Sequence, residues 1–286
     1  MSDTTVNGAR IFYAEAGSPA APTIVTVHGG RGIGSYQSDF AAYRELADEF
    51  RIVSFDMRGH GQSSNDGPLT FAQLVEDLET LRQQLVGGPM ILLGGSFGGM
   101  IALSYAVKYS HHLSHLILRG AAASADQEEA ALNVFLAHPE KAPMASEDML
   151  RRMFAGEMAS DDERRLVQYA ISPLYEDSLD PDALLAAALA LPVRADTHNA
   201  LFRDGRGYDV RPRLGEITCP TLVVCGASDW ICPPDQSREI ADAIPHAQLM
   251  IVPNANHAVH KQAPEVVLPA IREFCRSPQS PGSSAD

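Results

Sequence analysis

Basic residues are the minority charge in this chain: 22 Lys and Arg stand against 36 Asp and Glu, for a formal charge of -14. Such a balance opposes binding to nucleic acid or to an anionic membrane surface, and no cluster of cations along the sequence offsets it. Cysteine is also scarce. Cys219, Cys225, Cys232 and Cys275 have neither C-x-x-C spacing nor a neighbouring histidine, which excludes a zinc site and a disulfide framework as expectations. They read as reduced, packed residues, with Cys232 near enough to Asp229 to line a site there. No apolar run reaches the length of a membrane span, and residues 1–5 lack the basic and apolar regions of a leader. The expectation is a cytoplasmic protein, monomer or homodimer, whose partner is a small-molecule substrate, with no metal or other cofactor.

What is present is a regular alternation of two patterns. Short apolar runs at 11–13, 23–27, 52–55, 90–93, 116–118, 222–225 and 248–252 read as strands. Helical spacing occupies 38–49, 70–85, 100–109, 235–243 and 264–276, so the order predicts an α/β fold with a doubly wound, mostly parallel sheet. The alternation stops after Gly120 and resumes at Ile217. Helical patterns at 126–136, 146–154, 160–169 and 181–191, punctuated by proline, fill the gap. They predict a helical cap over the carboxyl ends of the strands, where α/β sheets bind ligands. The expected organisation is a core of 1–120 and 215–276, a cap of 121–214 and a disordered tail of 277–286, rich in Ser and Pro. The acidic clusters of the cap, such as Glu128-Glu129 and Asp161-Asp162-Glu163, read as solvated helix faces.

Gly94-Gly95-Ser96-Phe97-Gly98 lies between the strand at 90–93 and the helix at 100–109. A serine at the apex of a sharp strand-to-helix turn has an exposed hydroxyl, and flanking glycines let strand and helix approach closely. Ser96 is therefore the candidate nucleophile. In this layout the acid and the base should follow in the order Asp, then His. Asp229 stands four residues past the strand at 222–225, and His257 follows the strand at 248–252 on the loop Pro253-Asn254-Ala255-Asn256. Asp126, six residues beyond Gly120, is the alternative acid. The loop His28-Gly29-Gly30-Arg31-Gly32 follows the strand at 23–27 and supplies one oxyanion donor, the amide of Gly30; the amide of Phe97 supplies the other. His28 reads as a brace for that loop, Asp56 and Arg58 as an ion pair or turn brace, and His260, His111, His112 and His115 as loop or helix-end residues. Candidate substrate contacts are Arg31, Trp230, Met153 and Tyr175.

Together with Asp56-Met57-Arg58-Gly59-His60-Gly61-Gln62-Ser63 and Tyr208-Asp209-Val210-Arg211-Pro212-Arg213-Leu214, these motifs resemble the α/β-hydrolase superfamily over nearly the whole chain. Within it they are most similar to the proline-iminopeptidase-like branch. The resemblance implies an α/β-hydrolase fold of about eight strands with an inserted helical cap. The chain departs from that branch at Arg31, Met57 and Phe97, where proline, glutamine and tryptophan are usual. The sequence reading is a serine hydrolase forming an acyl-enzyme on a small to medium carboxylic ester or lactone. Its alternatives are a proline-iminopeptidase-like aminopeptidase, whose cap carboxylates would hold the substrate amine, and a ligand receptor of the same fold with little turnover. A lyase or cofactor-independent oxygenase using the triad only as a base is a further possibility. Arg31 close to the oxyanion donors would repel an ammonium and favour a polar or anionic substituent, unless it points to solvent or pairs with an acidic side chain.

Overall fold

The computed structural model describes residues 1–176 and 180–276; the tail expected to be disordered, 277–286, lies outside the described residues. Eight strands, β1 (Ser2–Val6), β2 (Ala9–Ala16), β3 (Thr23–Val27), β4 (Arg51–Phe55), β5 (Met90–Gly95), β6 (Leu113–Arg119), β7 (Thr221–Gly226) and β8 (Gln248–Val252), form one sheet. Their order in space is β1-β2-β4-β3-β5-β6-β7-β8. Strands β3 to β8 pair in parallel, whereas β1 and β2 form an antiparallel hairpin against β4. Strand β1 has no strong apolar signature because only Val6 is buried along it.

Strands β3, β5 and β7 are buried along their whole length because both faces are covered. Period-two geometry sends neighbouring residues to opposite sides. Val25, Leu92, Leu116 and Val223 enter one apolar cluster, while Ile24, Ile91, Ile117 and Leu222 enter the other. The first cluster is completed by α2 (Phe71–Leu85), α3 (Phe97–Tyr109) and α9 (Pro234–Ala243), and the second by α1 (Tyr36–Tyr43), α10 (Val259–Gln262) and α11 (Pro264–Arg276). Local chemistry starts α2 where the sequence suggests: the Thr70 hydroxyl accepts the Gln73 amide at 3.1 Å, satisfying one of the otherwise unpaired N-terminal donors. The helix expected over 38–49 is shorter, ending at Tyr43 and continuing as a 3-10 turn over Arg44–Asp48.

Among the described residues, five α-helices run between β6 and β7: α4 (Gln127–Ala137), α5 (Glu147–Ala155), α6 (Asp161–Ile171), α7 (Pro181–Ala190) and α8 (Ala195–Asp204). Four match helical patterns in the sequence. The fifth, α8, carries Asp196, Thr197, His198 and Asn199 in its first turns, residues of modest helix propensity, and is held by its packing. Leu132, Phe135, Leu150, Met153, Phe154, Val167 and Phe202 give this insertion an apolar cluster of its own. Two backbone bonds tie it to the glycine loop after β3, from Arg194 N–H to Gly32 O at 2.8 Å and from Gly34 N–H to Pro192 O at 2.9 Å. No helix among the described residues is long and apolar enough to cross a membrane.

Candidate active site

Strand β5 ends at Gly95, and the chain turns at Ser96 into α3. Ser96 has φ 55° and ψ -122°, a left-handed backbone that a non-glycine residue adopts only where its surroundings enforce it. Its N–H donates to Arg119 O at 2.8 Å, and its carbonyl accepts from Gly99 and Met100 as α3 begins. The flanking glycines are required by close approach. A Cβ on Gly98 would collide with the Val27 carbonyl oxygen, and one on Gly94 would collide with the Gly98 carbonyl oxygen.

Asp229 follows β7 as the sequence suggests, and only 3% of its surface is exposed. Its Oδ1 accepts the amides of Ile231 at 3.1 Å and Cys232 at 2.9 Å, which aims Oδ2 at His257. The Nδ1 of His257 lies 2.8 Å from that oxygen. Donation of the Nδ1 proton to Asp229 leaves the lone pair on Nε2, the tautomer a base requires. Ser96 and His257 line one cavity of about 380 Å³ under the insertion, within the size range of small-molecule sites. Asp126 lies elsewhere, most of its side chain exposed and paired with Arg211 at 2.7 Å.

The glycine loop brings Gly30 to the same cavity in a backbone with φ 89°, and a Cβ there would strike the Ile33 carbonyl. Phe97, also on the cavity wall, is the first residue of α3, so its N–H is one of the helix donors without an intrahelical acceptor. His28 braces this loop, its Nδ1 within 2.8 Å of Gly29 O. A second brace is His60, in the run from Asp56 to Ser63, to which the sequence reading gave no role of its own. Its Nδ1–H donates to Arg58 O at 3.0 Å, leaving Nε2 to accept the Gly32 amide at 2.8 Å. Burial lowers the His60 pKa to about 3, so this acceptor stays neutral.

The expected substrate contacts divide. Met153 and Tyr175 line the cavity, and the Tyr175 ring stands edge-on to His257 at 5.8 Å. Trp230 does not line it: it is 2% exposed, packs edge-on against Tyr175 at 5.3 Å, and supports that ring from behind. Arg31 lines the cavity but is not a free cation. Its Nη1 pairs with Glu128 Oε1 at 2.8 Å, and its guanidinium carbon lies 4.1 Å from the Phe202 ring centroid. Glu128 is therefore no part of a solvated helix face. Burial lowers the pKa of Arg31 and raises that of Glu128, each against the pull of its partner. Desolvation thus outweighs attraction within the pair.

Two further assignments change, at Arg58 and at His115. Arg58 pairs with Asp77 at 2.7 Å, not with Asp56, whose carboxylate instead accepts the amides of Tyr36 and Gln62, each at 2.7 Å. His115 lies within β6, not in a loop or at a helix end, and is buried edge-on to Phe274. His260 does stand at the end of a helix, the start of α10, buried, stacked on Tyr43 and 3.6 Å from Asp39. Cys232 does line the cavity, and burial pushes its thiol well above the ordinary range, so it is not a reactive thiolate.

Residues 22–264 match the family model of the alpha/beta hydrolase fold. The chain is 46% identical over 270 residues to proline iminopeptidase PfmaB of Pestalotiopsis fici, covering 93% of this chain and 96% of that protein. It is 27% identical over 291 residues to a proline iminopeptidase of Neisseria gonorrhoeae, covering 93% and 92%. Among solved structures, an esterase from Exiguobacterium antarcticum superposes with a TM-score of 0.76 at 19% identity, covering 96% of this chain and 99% of that one. That last likeness is one of fold. The strand order, the turn at Ser96 and these relatives converge: the chain belongs to the alpha/beta hydrolase family, in its proline-iminopeptidase-like branch.

Proposed function

We propose that this hydrolase acts through a Ser96–His257–Asp229 triad. The observation that carries the reading is the 2.8 Å contact between His257 Nδ1 and Asp229 Oδ2, in the same site as a strained serine at a helix N-terminus. Ser96 Oγ attacks the substrate carbonyl carbon as its proton passes to His257 Nε2, and the imidazolium is stabilised by Asp229. Negative charge on the carbonyl oxygen is met by the amides of Gly30 and Phe97. Collapse expels the amine or alcohol, which takes the proton from His257. Water, deprotonated by the same imidazole, then releases the acid from the acyl-serine. A fluorophosphonate adduct should map to Ser96; an adduct at another residue, or full activity in Ser96→Ala, would count against the triad.

For the bond cleaved, kinship supports an N-terminal prolyl amide, since both relatives named above are called proline iminopeptidases. A second reading, an ester or lactone, is supported by the state of the carboxylates. Glu128 is paired with Arg31, and Oδ1 of Asp39 on the cavity wall lies 3.3 Å from Arg119, so each already has a cation beside it, although Asp39 Oδ2 is buried without a hydrogen-bond partner. Comparing kcat/KM for prolyl 4-nitroanilide with those for a panel of 4-nitrophenyl esters and lactones separates the two. Faster cleavage of the prolyl amide than of every ester and lactone selects the peptidase.

A further inference from the structure

We propose that Arg164 is the docking group for a carboxylate carried by the substrate. The inference rests on the serine-hydrolase reading for the position of the cleaved bond, but not on the choice between amide and ester. Arg164 lies on α6, is 5% exposed and lines the cavity with Ser96 and His257. Its Nε donates to His198 Nδ1 at 3.3 Å and its Nη2 to Gln168 Oε1 at 3.2 Å. Its Nη1 is buried without a hydrogen-bond partner. Among the described residues no carboxylate pairs with it, whereas the other two guanidinium groups of the cavity wall, Arg31 and Arg119, each have one.

Neither polar neighbour compensates the charge. Gln168 is neutral, and His198 is kept neutral by burial and by the Arg164 charge, its pKa lowered to about 3. Burial also lowers the Arg164 pKa, to about 10, yet the group stays cationic at neutral pH. A buried cation with an unsatisfied donor is costly, and an arriving carboxylate removes that cost. Both N–H groups of Nη1 are unused, and a guanidinium matches a carboxylate in shape as well as charge. Met153, Ile171 and Phe202 line the same cavity, so the fitting molecule has an apolar body and an anionic end. Two sources share this chemistry: a distal carboxylate on the acyl part of an ester or lactone, and the C-terminal carboxylate of a short prolyl peptide.

Matched pairs test it and separate the sources. Mono-4-nitrophenyl glutarate is compared with 4-nitrophenyl pentanoate, and prolylglycine with prolylglycinamide. In one pair the anionic member should show kcat/KM about tenfold or more above its neutral partner, and Arg164→Gln should erase that ratio while Arg164→Lys retains part of it. Preference within the ester pair assigns the acyl carboxylate; preference within the peptide pair assigns the peptide terminus. Binding is read apart from turnover: glutarate should raise the Tm of Ser96→Ala but not that of Ser96→Ala/Arg164→Gln. On the unmodified protein, glutarate should compete with 4-nitrophenyl pentanoate better than dimethyl glutarate does, which guards against a variant that fails to fold. No preference in either pair, or one that survives in folded Arg164→Gln, overturns the assignment. Glutarate protection of Ser96→Ala without phosphonate labelling of Ser96 in the unmodified protein would keep the anion site and remove the triad.

Discussion

Glu79 and Glu128 are both acids with little exposed side chain, and the protein treats them in opposite ways. On α2, burial pushes the Glu79 pKa up, but hydrogen bonds from Arg82, Tyr105 and Gln83 outweigh it and hold the group at about 2. On α4, burial pushes Glu128 up and Arg31 alone does not reverse it. Glu79, packed against α3, is satisfied by several partners at once. Charges around the cavity have fewer partners: Arg31 of the glycine loop and Glu128 of the insertion have mainly each other, and Arg164 of the insertion pairs with no carboxylate among the described residues. Charges satisfied by many neighbours hold a scaffold in one arrangement. Charges left short of partners around a cavity are where an incoming ligand has most to offer.

The sharpest break in this comparison lies on the sheet side. Ser96→Ala should lower kcat by roughly 10⁴ to 10⁶ with little change in Tm, measured on whichever substrate class is cleaved fastest. Asp229→Asn should cost roughly 10² to 10⁴ in kcat by presenting the wrong imidazole tautomer, while Asp126→Asn, on the surface and paired with Arg211, should leave kcat within about twofold. The reverse ranking would move the acid to Asp126.

On the insertion side, Glu128→Gln strands the Arg31 cation and should lower unfolding stability by about 3–5 kcal/mol in denaturant titration. The double replacement Arg31→Met/Glu128→Leu should be much less costly, because it removes two desolvated charges together. A double variant as unstable as the single would mean the pair is net stabilising. The smallest effect belongs to Glu79. A depressed carboxylate contributes stability that is present above its unfolded pKa and lost as pH falls through the folded one. Glu79→Gln should therefore lie about 1–3 kcal/mol below the parent protein near neutral pH, through its weakened charged hydrogen bonds. That gap should close between about pH 4.5 and about pH 2. A gap independent of pH over that window would show that Glu79 acts through packing.

The sequence by itself determined the parallel core and the order of the candidate triad. Those features follow from short-range rules: apolar runs make strands, a glycine-flanked serine makes the turn, and loops after parallel strands emerge at one edge of the sheet. Ser96, Asp229 and His257 each sit within a few residues of a strand end, so placing the strands nearly placed them. Which charged side chains meet was decided only in three dimensions. Arg31 finds Glu128 at a separation of 97 residues, one acid among the chain's 36 Asp and Glu, and nothing local distinguishes it from Glu129 beside it. Arg58 reaches over Asp56 to Asp77 on α2. Trp230 follows Asp229 directly yet turns away from the cavity, because the insertion offers it an apolar cluster to complete. Arg164 stands in the charged run from Asp161 to Arg165 that reads as an exposed helix face; only the packing of α6 against α5 and α8 buries it, with no counter-ion among the described residues. Local pattern specifies backbone, whereas partners and burial depend on contacts between distant segments that a linear pattern does not encode.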